Sequence, residues 1–396
     1  MPYVYYPKIK ETPFNFMTLT NRWKKLKNDP MSGWLGSFDI PTIPIDPESR
    51  LIWCGIGGSL LPGDCLVRIL GNETQIQNWI SLSSPESLEK FFLRENDQIV
   101  FASKSGMTIE LWSWLGRLQQ LDSWKFLRHK PIVITENKRN PLHLLAQKEN
   151  WTVVDFPENI GGRYSLFTSI GLLPLVWLGK DRNQFSQSGQ GVVKEMDSEN
   201  GPWFEMIRSI SDLWLEEYKK GISDWVLMPY SRQIKYLGGW WTQLVSESLG
   251  KKSPDGTPRG ITAIRAVGPQ DQHAQLQRWL DGPKNVGVIF LSLANQKKNS
   301  SLCVQPTHSP YPFLSTHTGD DILRAQIDGT QSSLQEVGVP TYHIEIEALD
   351  EAHLGALMMA WQIIVALVGL GLEINPFDQP AIEVGKQKTL DKLRLS

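Results

Sequence analysis

Residues 98–121 read QIVFASKSGMTIELWSWLGRLQQL and predict a β-strand, a short loop and an α-helix in direct succession. The run QIVFA is short and apolar and is bounded by turn residues, which is typical of a strand buried on both faces of a parallel sheet. In IELWSWLGRLQQL the apolar residues recur at helical spacing. A strand that leads into a helix is the repeating unit of α/β folds.

The same alternation continues along the rest of the chain. Further short apolar runs predict strands at 51–54, 131–135, 152–156, 225–230, 287–293 and 342–348. Helices are predicted at 109–121, 140–147, 231–249, 321–337 and 351–370. We therefore predict an α/β protein built from two parallel-sheet αβα sandwiches.

The chain length indicates two domains. It has 396 residues, whereas single hydrophobic cores stop growing at roughly 250–300 residues. The predicted parts are an N-terminal arm (1–45), a first domain (46–180), a polar linker (181–202), a second domain (203–374) and a C-terminal helical segment (375–396).

Composition excludes several classes of partner. Forty basic and 42 acidic residues give a net charge of −2 without long runs of one sign, which argues against nucleic acid and anionic membranes and favours a small ligand. Cys54, Cys65 and Cys303 form no CxxC pair, so neither a disulfide framework nor a thiolate metal site is indicated. The N-terminus lacks a secretory signal pattern, so we expect a cytoplasmic protein.

One segment could cross a bilayer by its length alone. Residues 354–372 form 19 positions without a charge, close to the roughly 20 that a membrane span needs. Acidic residues flank the segment and no basic cluster fixes an orientation. We predict a buried core helix in preference to a membrane span.

Three strands are followed by loops of small residues at what would be one edge of the first sheet: GIGGSL (55–60), SKSGMT (103–108) and NIGGRYS (159–165). Ligands bind at this edge in open parallel sheets, near helix N-termini. GIGGSL lacks the third glycine of a dinucleotide fingerprint, and the chain has no P-loop motif. SKSGMT suits a phosphate monoester, although an ordinary N-capped turn would look the same.

GGRYS places two glycines in front of Arg163. Glycine pairs allow the backbone to come close to a ligand, and an arginine can bind an anion. An isolated GGR sequence is more often a surface loop. If all three loops lie at one edge, however, they converge on a single cleft.

Candidate acids and bases lie in the second half of the chain. Gln243 and Glu247 are one helical turn apart and point the same way. His273 lies in GPQDQHAQLQ, and Lys386 follows Gln379 by seven residues in NPFDQPAIEVGKQ. Each of these alone is more often a solvated or packed side chain. The histidines show no metal-ligand spacing.

Taken together, these segments resemble the glucose-6-phosphate isomerase (phosphoglucose isomerase) family. The matching segments, in the family's order, are GIGGS (55–59), SKSGMTIE (103–110), GGRYS (161–165), MPYSRQIKYLGGWWTQLVSESLGK (228–251), QDQHAQLQ (270–277) and NPFDQPAIEVGKQ (375–387). The resemblance implies two sugar-isomerase (SIS) domains with the active site between them. It also implies interconversion of glucose 6-phosphate and fructose 6-phosphate, in glycolysis and gluconeogenesis, without a cofactor or a metal.

The resemblance also implies a role for each site residue. The phosphate-loop residues are Ser103, Lys104, Ser105 and Thr108, with Ser59 and Gly162 beside the substrate. Glu247 corresponds to the base that moves a proton between C2 and C1, and Gln243 and Gln379 correspond to substrate-contacting glutamines. His273 and Lys386 correspond to the groups that open the sugar ring.

For Arg163 the resemblance agrees with the chemistry. Removing a proton next to a carbonyl creates an enediolate, and a fixed guanidinium stabilises that charge. The family acts as a homodimer, and the resemblance implies that His273 is donated across the interface. Two alternatives stay open: a non-catalytic SIS protein that senses sugar phosphates, and an isomerase that also accepts mannose 6-phosphate.

Overall fold

The computed structural model describes residues 16–36, 43, 45–84, 86, 91–294 and 302–395. The helices in this part of the chain are α1 (Leu19–Lys27), α2 (Leu61–Leu70), α3 (Glu73–Asn78), α4 (Ile109–Gln120), α5 (Pro141–Lys148), α6 (Ser169–Trp177), α7 (Arg182–Ser198), α8 (Pro202–Lys219), α9 (Leu237–Leu249), α10 (Gln272–Asp281), α11 (Gly319–Glu336), α12 (Glu351–Gly371) and α13 (Pro380–Leu395). The strands are β1 (Leu51–Cys54), β2 (Trp79–Leu82), β3 (Gln98–Ala102), β4 (Ile132–Glu136), β5 (Thr152–Phe156), β6 (Asp224–Pro229), β7 (Lys251–Lys252), β8 (Pro258–Arg259), β9 (Thr262–Arg265), β10 (Val286–Leu293) and β11 (Thr341–Ile346).

The first sheet is parallel, with the strand order β2-β1-β3-β4-β5. Leu51 of β1 lies opposite Trp79 of β2 on one side and Gln98 of β3 on the other. The chain first adds β2 on one side of β1 and then crosses over to add β3 on the other side. The carboxyl ends of β1 and β3 therefore flank the crevice where α/β sheets bind ligands. The four predicted strands of this sheet are confirmed. Strand β2 was not predicted, because its sequence WISL contains a serine and buries only Trp79 and Leu82, so it lacks the continuous apolar run of the other strands.

The second sheet is also parallel, with the order β11-β10-β6-β9. All eight residues of β10 are buried, as the apolar run at 287–293 predicts. The edge strand β9 has the sequence TAIR and is only partly buried. Its missing apolar run explains why the sequence did not predict it.

Helix α12 forms the centre of the molecule. It packs against α7, α8, α9 and α1, and from Leu354 to Gly371 all of its residues are buried. A Cβ atom on Gly355 would lie 2.2 Å from the Phe185 carbonyl oxygen of α7, so the two helices approach closely there. The helix is long and apolar enough to span a membrane, but its most apolar window is wholly buried in protein, as predicted for a core helix.

Two segments predicted as peripheral are more ordered and more buried than expected. The predicted linker is mostly helix α7, which begins at the N-cap Asp181 and buries Phe185, Val192 and Met196 on one face. Its other face is polar, and because polar residues form the majority, the sequence pattern does not predict a helix here. A domain boundary at 181–202 stays a prediction.

The predicted N-terminal arm contributes to the core. Residues 1–15, 37–42 and 44 of this arm lie outside the described residues. In the described part, Trp23 and Leu26 of α1 are buried, and the Trp34 ring stacks on Tyr164 at a centroid distance of 4.8 Å. This arm therefore supports the GGRYS loop directly.

Candidate active site

The loops after β1 and β5 are pressed against each other at the edge of the first sheet. The Ser165 hydroxyl donates a hydrogen bond of 2.6 Å to the Gly58 carbonyl oxygen. A Cβ atom on Gly58 would lie 2.2 Å from the Gly162 carbonyl group, so only glycine permits this approach. At Gly161 and Gly162 a Cβ atom would meet its nearest neighbours at 3.7 and 4.0 Å. The glycine that the packing requires is therefore Gly58, and not the pair in front of Arg163 as the sequence suggested.

Replacing Gly58 with alanine is expected to lower the free energy of unfolding by about 1–3 kcal/mol, because the loop after β1 must move away from Gly162. Urea denaturation measures this change. Gly191→Ala in α7 is the matched control, since no described atom lies within 4 Å of the Cβ position there, and it should raise stability by up to about 1 kcal/mol. Equal stability of the Gly58 variant and the wild type would refute the close contact.

Arg163 lies at the junction of the two halves of the chain and is 2% exposed. Its Nε donates to the Ser248 hydroxyl at 2.8 Å, and its Nη1 donates to Gln379 Oε1 at 2.9 Å. Nη2 donates to the carbonyl oxygens of Pro376 and Asp378, both at 2.7 Å. These partners hold the guanidinium in one orientation, with Nη1 3.5 Å from Glu247 Oε2.

Glu247 reaches the cleft because of the pattern of α9. The helix buries Trp240, Trp241, Leu244, Val245 and Ser248, a stripe at the spacing of one helix face. Gln243 and Glu247 lie at the edge of this stripe, and Gln243 Nε2 donates to Glu247 Oε1 at 2.9 Å. Both carboxylate oxygens of Glu247 are thus oriented, while 26% of the side chain stays accessible. The structure brings these two residues together with Arg163 and Gln379.

Gln243 also contacts the first loop of the cleft. Gly57 has a φ of +55°, and a Cβ atom there would lie 2.7 Å from Gln243 Nε2. Ser59, in the same turn, is half-buried, and its carbonyl oxygen accepts a hydrogen bond of 2.7 Å from Trp53 Nε1. The loop after β1 therefore forms the floor between the first sheet and α9.

The loop after β3 is a folded turn in front of α4. The Ser103 and Thr108 hydroxyls are 2.8 Å apart, and the Gly106 amide donates to Ser103 Oγ at 3.1 Å. The Met107 amide donates to the exposed Ser105 hydroxyl at 3.2 Å. Within the described residues, the side chain of the N-cap Thr108 makes no capping hydrogen bond to the helix. The first amides of α4 and three hydroxyls are thus grouped at a helix N-terminus, where an anion is favoured.

Lys104 has different partners from those expected of a phosphate ligand. Its ammonium donates to the Ile160 carbonyl oxygen at 2.7 Å and to that of Glu158 at 3.1 Å, and it lies 3.4 Å from a Glu136 carboxylate oxygen. Burial lowers the pKa of Lys104, and Glu136 partly opposes that effect. Lys104 therefore connects the loop after β3 to the loop that carries Arg163, and its contact with phosphate stays a prediction.

His273 and Lys386 are placed away from this cluster. His273 is exposed in the first turn of α10. Lys386 is on α13, where its ammonium pairs with Glu383 at 2.7 Å and its side chain is 58% exposed. Among the described contacts, neither side chain reaches Glu247 or Arg163, so their roles in ring opening stay predictions.

Two further side chains of the cluster, Ser248 and Lys251, were not predicted from the sequence. Ser248 is fully buried and joins Arg163 to Tyr164, whose hydroxyl is 3.3 Å away; burial raises the pKa of Tyr164 to about 12. Lys251 is bonded to the same segment as Arg163, through the carbonyl oxygens of Asn375 and Asp378. Both residues lie in the quoted segment that contains Glu247, but their partners are distant in the chain: Arg163 and Tyr164 for Ser248, and Asn375 and Asp378 for Lys251.

Comparisons with known proteins agree with this arrangement. A family model described as "Phosphoglucose isomerase" matches residues 49–393. The glucose-6-phosphate isomerase of Methanocaldococcus jannaschii is 30% identical over 349 residues, which is 85% of this chain and 82% of that relative.

Solved structures match the fold. A hypothetical protein from Thermus thermophilus covers 95% of this chain and 94% of its own length, with a TM-score of 0.81 and 24% identity. A glucose-6-phosphate isomerase from Chlamydia trachomatis covers 94% of this chain and 73% of its own, with a TM-score of 0.70 and 19% identity. The predicted α/β fold with SIS-type sandwiches is confirmed. The chain belongs to the phosphoglucose isomerase family.

Proposed function

We propose that this protein interconverts glucose 6-phosphate and fructose 6-phosphate by moving a proton between C2 and C1 of the opened sugar. The observation that carries this proposal is the contact between Arg163 and Glu247, 3.5 Å apart at the junction of the two sandwiches. A carboxylate beside a fixed cation can remove a proton next to a carbonyl and stabilise the enediolate that forms. Membership of the phosphoglucose isomerase family supports the same reaction.

Each member of the cluster has a part in this reaction. Glu247 takes the proton from C2 and returns it to C1, and Gln243 keeps the carboxylate oriented through its 2.9 Å hydrogen bond. The negative charge on the enediolate oxygens develops next to Arg163, which needs no reorganisation because its other donors are already bonded to Ser248, Pro376 and Asp378. The side-chain oxygen of Gln379 accepts from Arg163, so its side-chain nitrogen is left to contact the sugar.

The phosphate of the substrate is assigned to the loop after β3. Ser103, Ser105 and Thr108 supply hydroxyls, and the N-terminus of α4 supplies backbone amides and a positive dipole end. The phosphate is remote from the reacting carbons, so its binding energy fixes the sugar for proton transfer. Gly162 and Ser59 lie on the same edge and complete the substrate-binding set.

Ring opening is assigned to His273 and Lys386 in a homodimer. His273 is exposed in one subunit, which is compatible with its insertion into the cleft of a partner subunit. The exposed side chains of α13, among them Val384 and Leu393, offer apolar surface for such an association. The protein would act in the cytoplasm, in glycolysis and gluconeogenesis.

A coupled assay tests the proposed activity. Purified protein is given fructose 6-phosphate, glucose 6-phosphate is followed through its dehydrogenase, and formation of mannose 6-phosphate is measured in parallel. We expect glucose 6-phosphate to form at turnover numbers in the range of about 1–10³ per second that is typical of enzymes. If there is no turnover but fructose 6-phosphate still raises the Tm, the protein is a sugar-phosphate sensor and the isomerase proposal is wrong.

A further inference from the structure

Lys251 is an almost buried lysine directly behind the proposed catalytic cluster. It follows α9 as the first residue of β7, and its side chain is 8% exposed. Its ammonium donates to the carbonyl oxygens of Asn375 and Asp378, the latter at 2.5 Å, and lies 3.0 Å from the Asp378 carboxylate. All three of these partners belong to the segment that connects α12 to α13.

Arg163 binds the same segment from the other side. Its Nη2 donates to the carbonyl oxygens of Pro376 and Asp378, and its Nη1 donates to Gln379. The Asp378 carbonyl oxygen therefore accepts hydrogen bonds from both cations. Two cations beside one carbonyl oxygen repel each other, and the carboxylates of Asp378 and Glu247 offset this repulsion.

We propose that Lys251 is a positioning residue for the isomerisation, because it clamps residues 375–379 and so keeps Gln379 and Arg163 aligned with Glu247. The inference rests on the function proposed above. Without this ammonium, Asp378 loses a charge-assisted hydrogen bond, and the segment would be held from the arginine side only. Since Gln379 directly precedes α13, the same clamp also fixes the start of the helix that carries Lys386.

The charge of this clamp depends on pH. Burial, followed by the nearby Arg163, lowers the pKa of Lys251 to about 8, while Asp378 and Glu247 act in the opposite direction. Below that pH the ammonium is charged and the clamp is intact; above it the charge is lost and the hydrogen bonds weaken. Because the unfolded chain binds this proton more tightly between pH 8 and the ordinary lysine value of 10.5, this group raises stability with pH in that window. Deprotonation of Lys251 is therefore expected to lower activity at alkaline pH without lowering the free energy of unfolding.

The test compares Lys251→Met, Lys251→Arg and the control Lys252→Met, whose side chain is on the same short strand but exposed. Misplaced catalytic groups cost about 10- to 100-fold in rate, so Lys251→Met should lower kcat and kcat/KM by that factor. Lys251→Arg should recover part of the rate and move the alkaline fall in kcat upward from about pH 8, because arginine stays charged. Lys252→Met should match the wild type in both respects.

Hydrogen exchange measures the clamp without turnover. The backbone amides in residues 375–381, which belong to all of these residues except Pro376 and Pro380, should exchange at least about 10-fold faster in Lys251→Met than in the wild type or in Lys252→Met. Unchanged exchange there, or an unchanged kcat and pH profile in an active enzyme, would overturn the positioning role of Lys251. A wild type that turns over no fructose 6-phosphate but whose Lys251→Met variant still shows faster exchange would overturn the proposed function and leave the clamp standing.

Discussion

Glu247→Gln is expected to lower kcat for fructose 6-phosphate by about 10²–10⁴-fold with little change in KM, because glutamine keeps the shape of the side chain but cannot accept the proton that leaves C1 of this substrate. The amide oxygen of the glutamine can still accept from one of the two donors that the carboxylate binds, Gln243 Nε2 or Arg163 Nη1, so the variant should fold and bind substrate. Steady-state kinetics in the coupled assay measures both constants.

The matched control for this prediction is Glu205→Gln. Glu205 is an exposed glutamate on α8 that pairs with Arg208, and an exposed pair of this kind contributes about 0–1 kcal/mol. Its replacement should leave kcat unchanged. If Glu247→Gln also kept the wild-type kcat, another group would have to be the base.

Arg163→Lys is expected to lower kcat by about 10²–10³-fold, the cost of losing one donor to a developing oxyanion. Lysine cannot reproduce a fork that binds Ser248, Gln379 and two carbonyl oxygens at once. Because the carbonyl oxygens of Pro376 and Asp378 would then lose buried donors, the free energy of unfolding should also fall by about 1–3 kcal/mol. Kinetics and urea denaturation measure the two effects separately.

Arg22→Lys controls for the effect of replacing a buried arginine. Arg22 is also 2% exposed, and it binds Asp212 at 2.6 Å and the Met17 carbonyl oxygen at 3.0 Å, on α1 and away from the cleft. This variant should lose stability without losing kcat. A wild-type kcat in Arg163→Lys would mean that Arg163 joins the two halves of the chain but does not take part in the chemistry.

The sequence predicted the parts of the fold that have a strong local pattern. Strands such as β3 and β10 are continuous apolar runs, and α12 is apolar on all sides, so their secondary structure follows from hydrophobicity alone. Helix α7 buries only one face, and the edge strand β9 is only partly buried, so neither has the apolar pattern that would have predicted it. The burial of Trp34 against Tyr164 depends on a contact between residues 130 positions apart in the chain, which no local pattern encodes.

In the candidate site, too, some residues could be predicted from the local sequence and others depend on long-range contacts. Glu247, Gln243, Arg163 and Gln379 were named from sequence, and the structure brings them together. The required glycine, Gly58, and the clamp residue Lys251 were not named. Gly58 is required because of its contact with Gly162, and Lys251 binds residues 375–378; both contacts depend on the position of a segment that is distant in the sequence. His273 and Lys386 need a second subunit or a bound sugar to acquire their proposed roles.

The most direct test of the central claim is isomerisation in deuterated water, followed by NMR of the C1 and C2 positions. If Glu247 carries the proton between these carbons, the carboxyl group can exchange its proton with solvent before returning it, and part of the product will contain carbon-bound deuterium. The Glu247→Gln variant should then lose deuterium incorporation together with turnover. Full turnover without any deuterium at C1 or C2 would indicate a direct hydride shift and would contradict the account.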